Sequence, residues 1–399
     1  METLPKFHSK RISLSASLLL LIVLLITACS GNSGSSNNST PIASSVATTS
    51  NGTAVSTSTP QVKLGTQPCP DAVKDPSYWD PIVGTQSGVS KVGRVTCANL
   101  IGQPSLQALI LVGYQGTGMI VDAYVYNNIT DPRPKQLFKL QSLYKGDVLV
   151  SAYNTVITAE VDQESSINKG QPNARLTIDL YREFKWSDGA GTLVPVTFPG
   201  IYPDLTRYQA EAVQQQVNQG HEPWRLSATQ TSQNMATSLL KWTANAPATI
   251  TSGGGQHDVD AVVSVKSPFP GGSTITVTLN RLEGNANGGI WEATLVNSPG
   301  MSITRPQNRD RLSSPTTVTG SGNSFEGVIG KVVILDHLYT DIGHANASGT
   351  SGSNATFTTN VTYNSTFKTG TQEGVLALFS YGAANSAITG AVMVKEMLS

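Results

Sequence analysis

The side chains able to do chemistry are few and scattered. After the first 28 residues the histidines are His221, His257, His337 and His344, each with an acidic residue nearby. His221-Glu222 runs straight into Pro223; a proline there breaks the helix on which an H-E-x-x-H zinc motif depends. His257-Asp258-Val259-Asp260 follows three glycines at the entrance to an expected strand. Asp336, His337, Asp341 and His344 form the densest group, but they straddle a turn between two expected strands, where polar side chains serve the turn itself. No G-x-S-x-G nucleophile elbow occurs. Gly116-Thr117-Gly118 leads into the strand-like run from Met119 rather than into a helix, so it reads as a hairpin turn and not as a phosphate cradle. No P-loop, calcium loop or paired-carboxylate arrangement stands out. The sequence therefore assigns no catalytic, cofactor-binding or metal-ligating residue.

Aromatic side chains give a second chemical lead. Tyr78, Trp79, Tyr124, Tyr126, Trp186, Tyr202 and Tyr208 are spread along the chain, and exported glycan-binding modules use such rings as stacking platforms. Trp186, Trp242 and Trp291, however, lie in or beside apolar periodic segments, which places most of them in cores.

The amino terminus says where these side chains work. Lys6, Lys10 and Arg11 precede the apolar run Ser13 to Ile26, and small residues follow. This is the order of an export signal, with an apolar run shorter than the roughly 20 residues of a permanent span. Ile26-Thr27-Ala28-Cys29 resembles the lipobox of bacterial lipoproteins. The resemblance implies a diacylglyceryl thioether on Cys29, cleavage after Ala28, and an anchor on the outer face of the cell membrane. Ser30 to Pro60 is nearly all Ser, Thr, Asn, Gly and Ala and cannot bury enough apolar surface to fold; a coil of that length spans roughly 30 Å. Lipidation of Cys29 leaves Cys69 and Cys97, an even pair in an exported chain, which reads as a disulfide; two reduced, buried thiols is the alternative left open. Beyond residue 28 the balance is 23 basic against 25 acidic side chains, which gives no electrostatic footprint for nucleic acid or for anionic lipid.

The elements that must position the rest fall into three blocks, and the expected fold is multi-domain and mainly β. A signal peptide (1–28) and the lipidated linker (29–63) precede a β-rich domain over 64–203. There Leu106–Tyr114 and Met119–Asn128 form a hairpin, followed by strands over Gln136–Leu143, Val148–Val161 and Arg175–Trp186, the last with Leu176, Ile178 and Leu180 in half-buried alternation. A small α+β domain covers 204–300: one helix with Tyr208, Ala212, Val213 and Val217 on its inner face and Gly220 beyond its end, a second over Ala228–Trp242 with Met235, Ala236, Leu239 and Trp242 inward, then strands over Val259–Lys266, Thr274–Leu282 and Gly289–Val296. Residues 301–399 return to short strands between Gly, Asn and Ser clusters, the pattern of a β-sandwich.

Within that last block, Ser314-Pro315, then Val318-Thr319-Gly320, then Phe325-Glu326-Gly327 resembles the opening of the Gmad2 immunoglobulin-like domain of bacterial spore germination proteins. Strands over Val332–Asp336, Phe357–Tyr363, Gly374–Ser380 and Ile388–Lys395 extend the likeness, and Asn346–Asn354 reads as a lengthened loop. An immunoglobulin-like sandwich is what the resemblance implies. On the residues themselves, Phe325 is expected inside it, Glu326 outside, and Gly320, Gly322 and Gly327 where side chains would clash. The expectation for function is a non-catalytic binding or scaffolding lipoprotein of the cell envelope, with an envelope protein or glycan as partner and no cofactor. Sporulation or germination is the process implied by the resemblance. An envelope hydrolase with a site assembled from distant segments and a small-molecule receptor are the competing readings.

Overall fold

The computed structural model describes residues 61–116, 119–284, 288–382 and 386–399. Cys29, the export signal and the linker up to Pro60 lie outside the described residues. The described residues belong to one compact unit and are mainly β.

The first antiparallel sheet has the order β1 (Thr66–Gln67), β2 (Ser90–Ala98), β3 (Gln107–Tyr114), β4 (Ile120–Asn127), β5 (Lys135–Tyr144). Helix α1 (Pro76–Val83) lies between β1 and β2. Asp75 caps it by accepting from the Ser77 N–H; the Pro at N1 and the left-handed Gly84 beyond its end match what helix termini require. Trp79 of α1 packs with Val73, Cys97, Ile110 and Tyr126 on one face of the sheet. The opposite face, with Leu109, Leu111, Ala123 and Val125, meets a second sheet. That sheet is β6 (Asp147–Val150), β7 (Val156–Glu160), β8 (Leu180–Ser187) and β9 (Thr192–Val196). Burial on both faces is why β3 reads as an unbroken apolar run.

Two expectations change here. Val148–Val161 is two strands around a turn at 151–155, where the Ser151 and Thr155 hydroxyls are 2.7 Å apart. The expected strand at 175–186 begins only at Leu180: Asn173–Arg175 is a 3-10 turn and Ile178 is exposed. Asn168 holds this stretch in another way, donating to the Asp162 and Thr177 carbonyls and accepting from the Thr177 N–H. Backbone satisfied by a side chain has no need of a neighbouring strand.

Helices α2 (Arg207–Asn218) and α3 (Ala228–Leu240) are capped by Thr206 and Ser227, each accepting from the N–H three residues on. The buried face of α2 is Ala210, Gln214 and Val217, while Ala212 is exposed. The expected face is therefore rotated, because Gln214 is drawn inward: it donates to the Gly288 carbonyl and accepts from the Ile290 N–H. The inner face of α3 is as expected in Met235 and Ala236, with Leu239 partly buried; Trp242 is buried just past the helix and donates to the Ile388 carbonyl.

The largest sheet begins with β10 (Ala248–Gly253), β11 (Asp260–Lys266), β12 (Thr274–Asn280) and β13 (Glu292–Asn297). The sequence does not announce β10; it is a polar edge strand with almost no buried side chain. After it come β14 (Ser302–Arg305), β15 (Arg311–Leu312), β16 (Thr316–Ser324), β17 (Val328–Leu335), β18 (Asp341–Ser348), β19 (Gly352–Val361), β20 (Gln372–Tyr381) and β21 (Ile388–Leu398). The sheet order is β10-β11-β12-β13-β21-β20-β17-β18, so pairing passes through position 300 with Val296 opposite Met393. One core lies under α3 and joins Val263, Val277 and Trp291 to Val333, Ala377 and Met393. On the other face of β17, β20 and β21 a second core meets the sheet β14-β16-β19. Asn346–Asn354 is mostly strand, the ends of β18 and β19 around residues 349–351.

The Ser-Pro and Phe-Glu-Gly segments occupy the two ends of β16. Ser314 accepts from the Tyr363 N–H beside Pro315. A Cβ on Gly320 would stand 2.1 Å from the Ser302 carbonyl, and one on Gly322 2.2 Å from the Ile329 side chain, so both glycines are set by close approach. Phe325 is not in the core. It is 73% exposed, because Phe325 and Val328 exchange backbone hydrogen bonds around Glu326 and Gly327, both at positive φ. That two-residue turn puts the ring at the hairpin tip, beyond the sandwich; Glu326 is exposed as expected.

Candidate functional site

Cys69 and Cys97 are joined by a disulfide, with Cα atoms 5.2 Å apart. It ties the segment before α1 to β2, inside the core around Trp79. Its position is structural.

The four histidines do not come together. His221 and His257 are exposed. His344 pairs with Asp341 on the surface, Nδ1 to Oδ2 2.9 Å. Asp336 is buried and accepts the Leu338 and Thr340 N–H groups through Oδ1, which fixes the turn after β17. His337 is buried too, with Nδ1 3.0 Å from Gln372 Oε1 and Nε2 3.6 Å from Asp179 Oδ2. Among the described residues no three His, Cys, Asp or Glu side chains are grouped so that they could hold a metal ion.

Charge is buried elsewhere, between the helices and the sheets. Arg225 reaches Asp204 at 2.6 Å and also Glu292; Arg207 reaches Glu183 at 2.8 Å and also Glu283; Lys395 lies 3.2 Å from Glu373. Burial pushes the Glu283 carboxyl up to about 8 and Glu373 up to about 7, with Arg207 and Lys395 opposing the shift in turn. Groups so enclosed fasten segments distant in sequence; removing one partner would strand the other.

One concavity among the described residues is a groove of about 570 Å³. Four separate segments build it: the end of β5 from Lys139 to Tyr144, the chain leaving β7 from Glu160 to Glu164, Arg182 of β8, and residues 366–369 between β19 and β20. Each is held by local bonding. Ser142, at positive φ, donates its N–H to Asp122 Oδ1. Glu164 donates its N–H to Asp162 Oδ1. Thr366 donates to Gln372 Oε1, and Lys368 Nζ to Asn364 Oδ1 at 2.6 Å. Gly370 allows the last segment to close, since a Cβ there would stand 2.8 Å from the Phe367 ring and 3.1 Å from an Arg182 Nη1.

Arg182 is the centre of the groove. Its Nε donates to Glu160 Oε1 at 2.8 Å, and its guanidinium carbon lies 5.1 Å from the Phe367 ring centroid and 5.4 Å from that of Phe184. Burial pushes the Glu160 carboxyl up, and Arg182 pulls it back. Three cations (Lys139, Arg182, Lys368) and three carboxylates (Glu160, Asp162, Glu164) line the groove, so its formal charge cancels. Hydroxyl and amide groups of Ser142, Gln141, Gln163, Thr366 and Thr369 fill most of the remainder. Behind this surface the Tyr144 hydroxyl and Asp162 Oδ2 are buried without a hydrogen-bond partner.

Sequence reasoning missed the groove because its residues are spread over more than two hundred positions. The only local signal is Arg182 in β8 with apolar and aromatic neighbours, too common a pattern to mark a site. Of the aromatics that drew attention in the sequence, Trp79, Trp242 and Trp291 are buried, and Trp186 is partly buried with its Nε1 donating to Asp188. No protein-family model matches the chain, and no curated protein matches it.

Proposed function

We propose that this chain is a lipid-anchored binding protein of the cell envelope, non-catalytic, with the Arg182 groove as its ligand site. One observation carries the reading: the groove is charge-balanced, lined by hydroxyl and amide groups, and carries a ring held against a guanidinium. Such a surface suits a neutral, hydroxyl-rich ligand, because aromatic rings pack against C–H faces while amides and carboxylates take the hydroxyls. An envelope glycan has that chemistry. The lipobox-like Ile26 to Cys29 supports the anchor, and the resemblance of Ser314 to Gly327 to the opening of a Gmad2 domain supports an immunoglobulin-like C-terminal sandwich and a role in spore formation or germination. The test is binding of the full chain to purified cell-wall glycan. Phe367→Ala and Gln163→Ala should each weaken it several-fold, and unchanged binding in both would overturn the assignment of the groove.

A second reading has its own observation. Glu160 and Asp162 are carboxylates in one groove, and burial favours a proton on Glu160, which is how a hydrolase prepares a general acid. Against it, Glu160 is engaged by Arg182 and 4% exposed. Release of reducing ends from cell-wall glycan, abolished by Asp162→Asn, would establish the hydrolase.

A further inference from the structure

A second groove, of about 670 Å³, runs between β9 and the loop leading into β15. Its charged lining consists of Arg309 and Arg311; the other walls are Val194, Pro195, Val196, Thr197, Asn308 and Met397. Most other arginines in the described fold are engaged: Arg94, Arg182, Arg207 and Arg225 with carboxylates, and Arg281 with backbone carbonyls. Arg309 and Arg311 are both exposed. Nearby hydrogen bonds use their backbones, Arg309 N–H to the Lys395 carbonyl and Arg311 in the parallel pairing of β15 with β21; among the described residues no carboxylate pairs with either guanidinium, and the Tyr363 hydroxyl is the group on which the Arg311 charge acts. Asp310, between them, is outside the lining and turns back to accept the Gln307 N–H. In contrast to the Arg182 groove, this one has no carboxylate to cancel its cations.

We propose that the Arg309–Arg311 groove binds a phosphodiester-bearing ligand, through two guanidinium groups that the fold leaves without a carboxylate partner on an otherwise uncharged wall. A guanidinium presents N–H donors in a planar fork that matches phosphate oxygens. Two of them, two residues apart in sequence, recognise repeated or multiply charged anions better than a single carboxylate. In a cell envelope this chemistry occurs in two sources, phosphodiester polymers and anionic lipid headgroups.

The experiment places the full chain in phosphatidylcholine nanodiscs and titrates a fluorescent glycerol phosphate oligomer, reading anisotropy at several salt concentrations. The wild type binds, with affinity falling as salt rises. Arg309→Gln and Arg311→Gln each weaken binding about tenfold or more, as expected for loss of a charge-assisted contact. Arg133→Gln, on an exposed loop outside the groove, leaves it unchanged. Both groove arginines are exposed, so thermal midpoints stay at the wild-type value. Including phosphatidylglycerol in the discs tells the sources apart: if the headgroup occupies the groove, the oligomer is competed away, and otherwise its affinity is unaltered. Either result upholds phosphodiester chemistry. Equal binding by the double glutamine variant, an equal loss in Arg133→Gln, or equal competition by polyglutamate overturns it. None of these outcomes depends on the Arg182 groove.

Discussion

Glu396 of β21 is buried, and neither carboxylate oxygen has a well-aligned hydrogen-bond partner. Burial pushes its carboxyl up to about 9 and the Asp310 carboxylate adds in the same direction, while the Asp310 backbone N–H and the Lys395 ammonium oppose the shift. The folded chain therefore keeps this proton where the unfolded chain has lost it. The stabilising contribution is complete below the ordinary value of 4.5 and is lost as pH rises through about 9. At pH 7, folding must reprotonate a group that ionises freely in the unfolded chain; 2.5 pH units at about 1.4 kcal/mol each is roughly 3.5 kcal/mol, of which about 0.4 kcal/mol is already present at pH 4.5 where the unfolded group is half ionised. Glu396→Gln removes the titration and keeps the shape. Its amide lacks well-aligned partners too, but that cost does not depend on pH. Urea unfolding of both proteins should show the variant gaining roughly 3 kcal/mol on the wild type between pH 4.5 and pH 7. A stability difference constant across that range would show that the carboxylate is ionised in the fold, and would refute the reasoning.

Three further outcomes are expected. Replacing Cys69 and Cys97 by alanine opens a loop with a sequence separation of 28 and should lower unfolding stability by about 3 to 4 kcal/mol, seen as a lower denaturant midpoint. Phe325→Ser should change stability by less than about 0.5 kcal/mol, whereas Phe357→Ala, which empties the core between the C-terminal sheets, should cost about 3 to 5 kcal/mol; thermal melts of the two variants distinguish a ring at a hairpin tip from one inside. Arg225→Met leaves Asp204 and Glu292 buried without their cation and should cost about 3 to 5 kcal/mol, with part of the loss recovered on acidification because burial already raises the Glu292 carboxyl.

How much was legible follows from how local each cause is. The hairpin of β3 and β4, the strands β11 and β12, and the spans of α2 and α3 appear in the sequence because apolar periodicity and capping residues such as Thr206 and Ser227 act within a few positions. Continuous apolar runs in β3 and β20 announced burial, though not what covers each face. The rotated face of α2 escaped because Gln214 is buried for bonds to Gly288 and Ile290, some seventy residues away. Phe325 escaped because hydropathy says only that a ring prefers burial, while the turn at Glu326-Gly327 decides where it stands.

The sequence by itself determined a mainly β chain and the close approaches at Gly320 and Gly322. It singled out Cys69 and Cys97 as a candidate pair, and the fold joined them by bringing their Cα atoms to 5.2 Å. Tertiary structure alone decided the sites. Arg182, Glu160 and Phe367 become neighbours only when β7, β8 and the segment before β20 assemble, and Arg309 and Arg311 line a groove only where β9 faces them. The physical reason is range: backbone preferences and hydrophobic periodicity act over a few residues, whereas a binding surface is set by which distant side chains remain unpaired once the cores have closed.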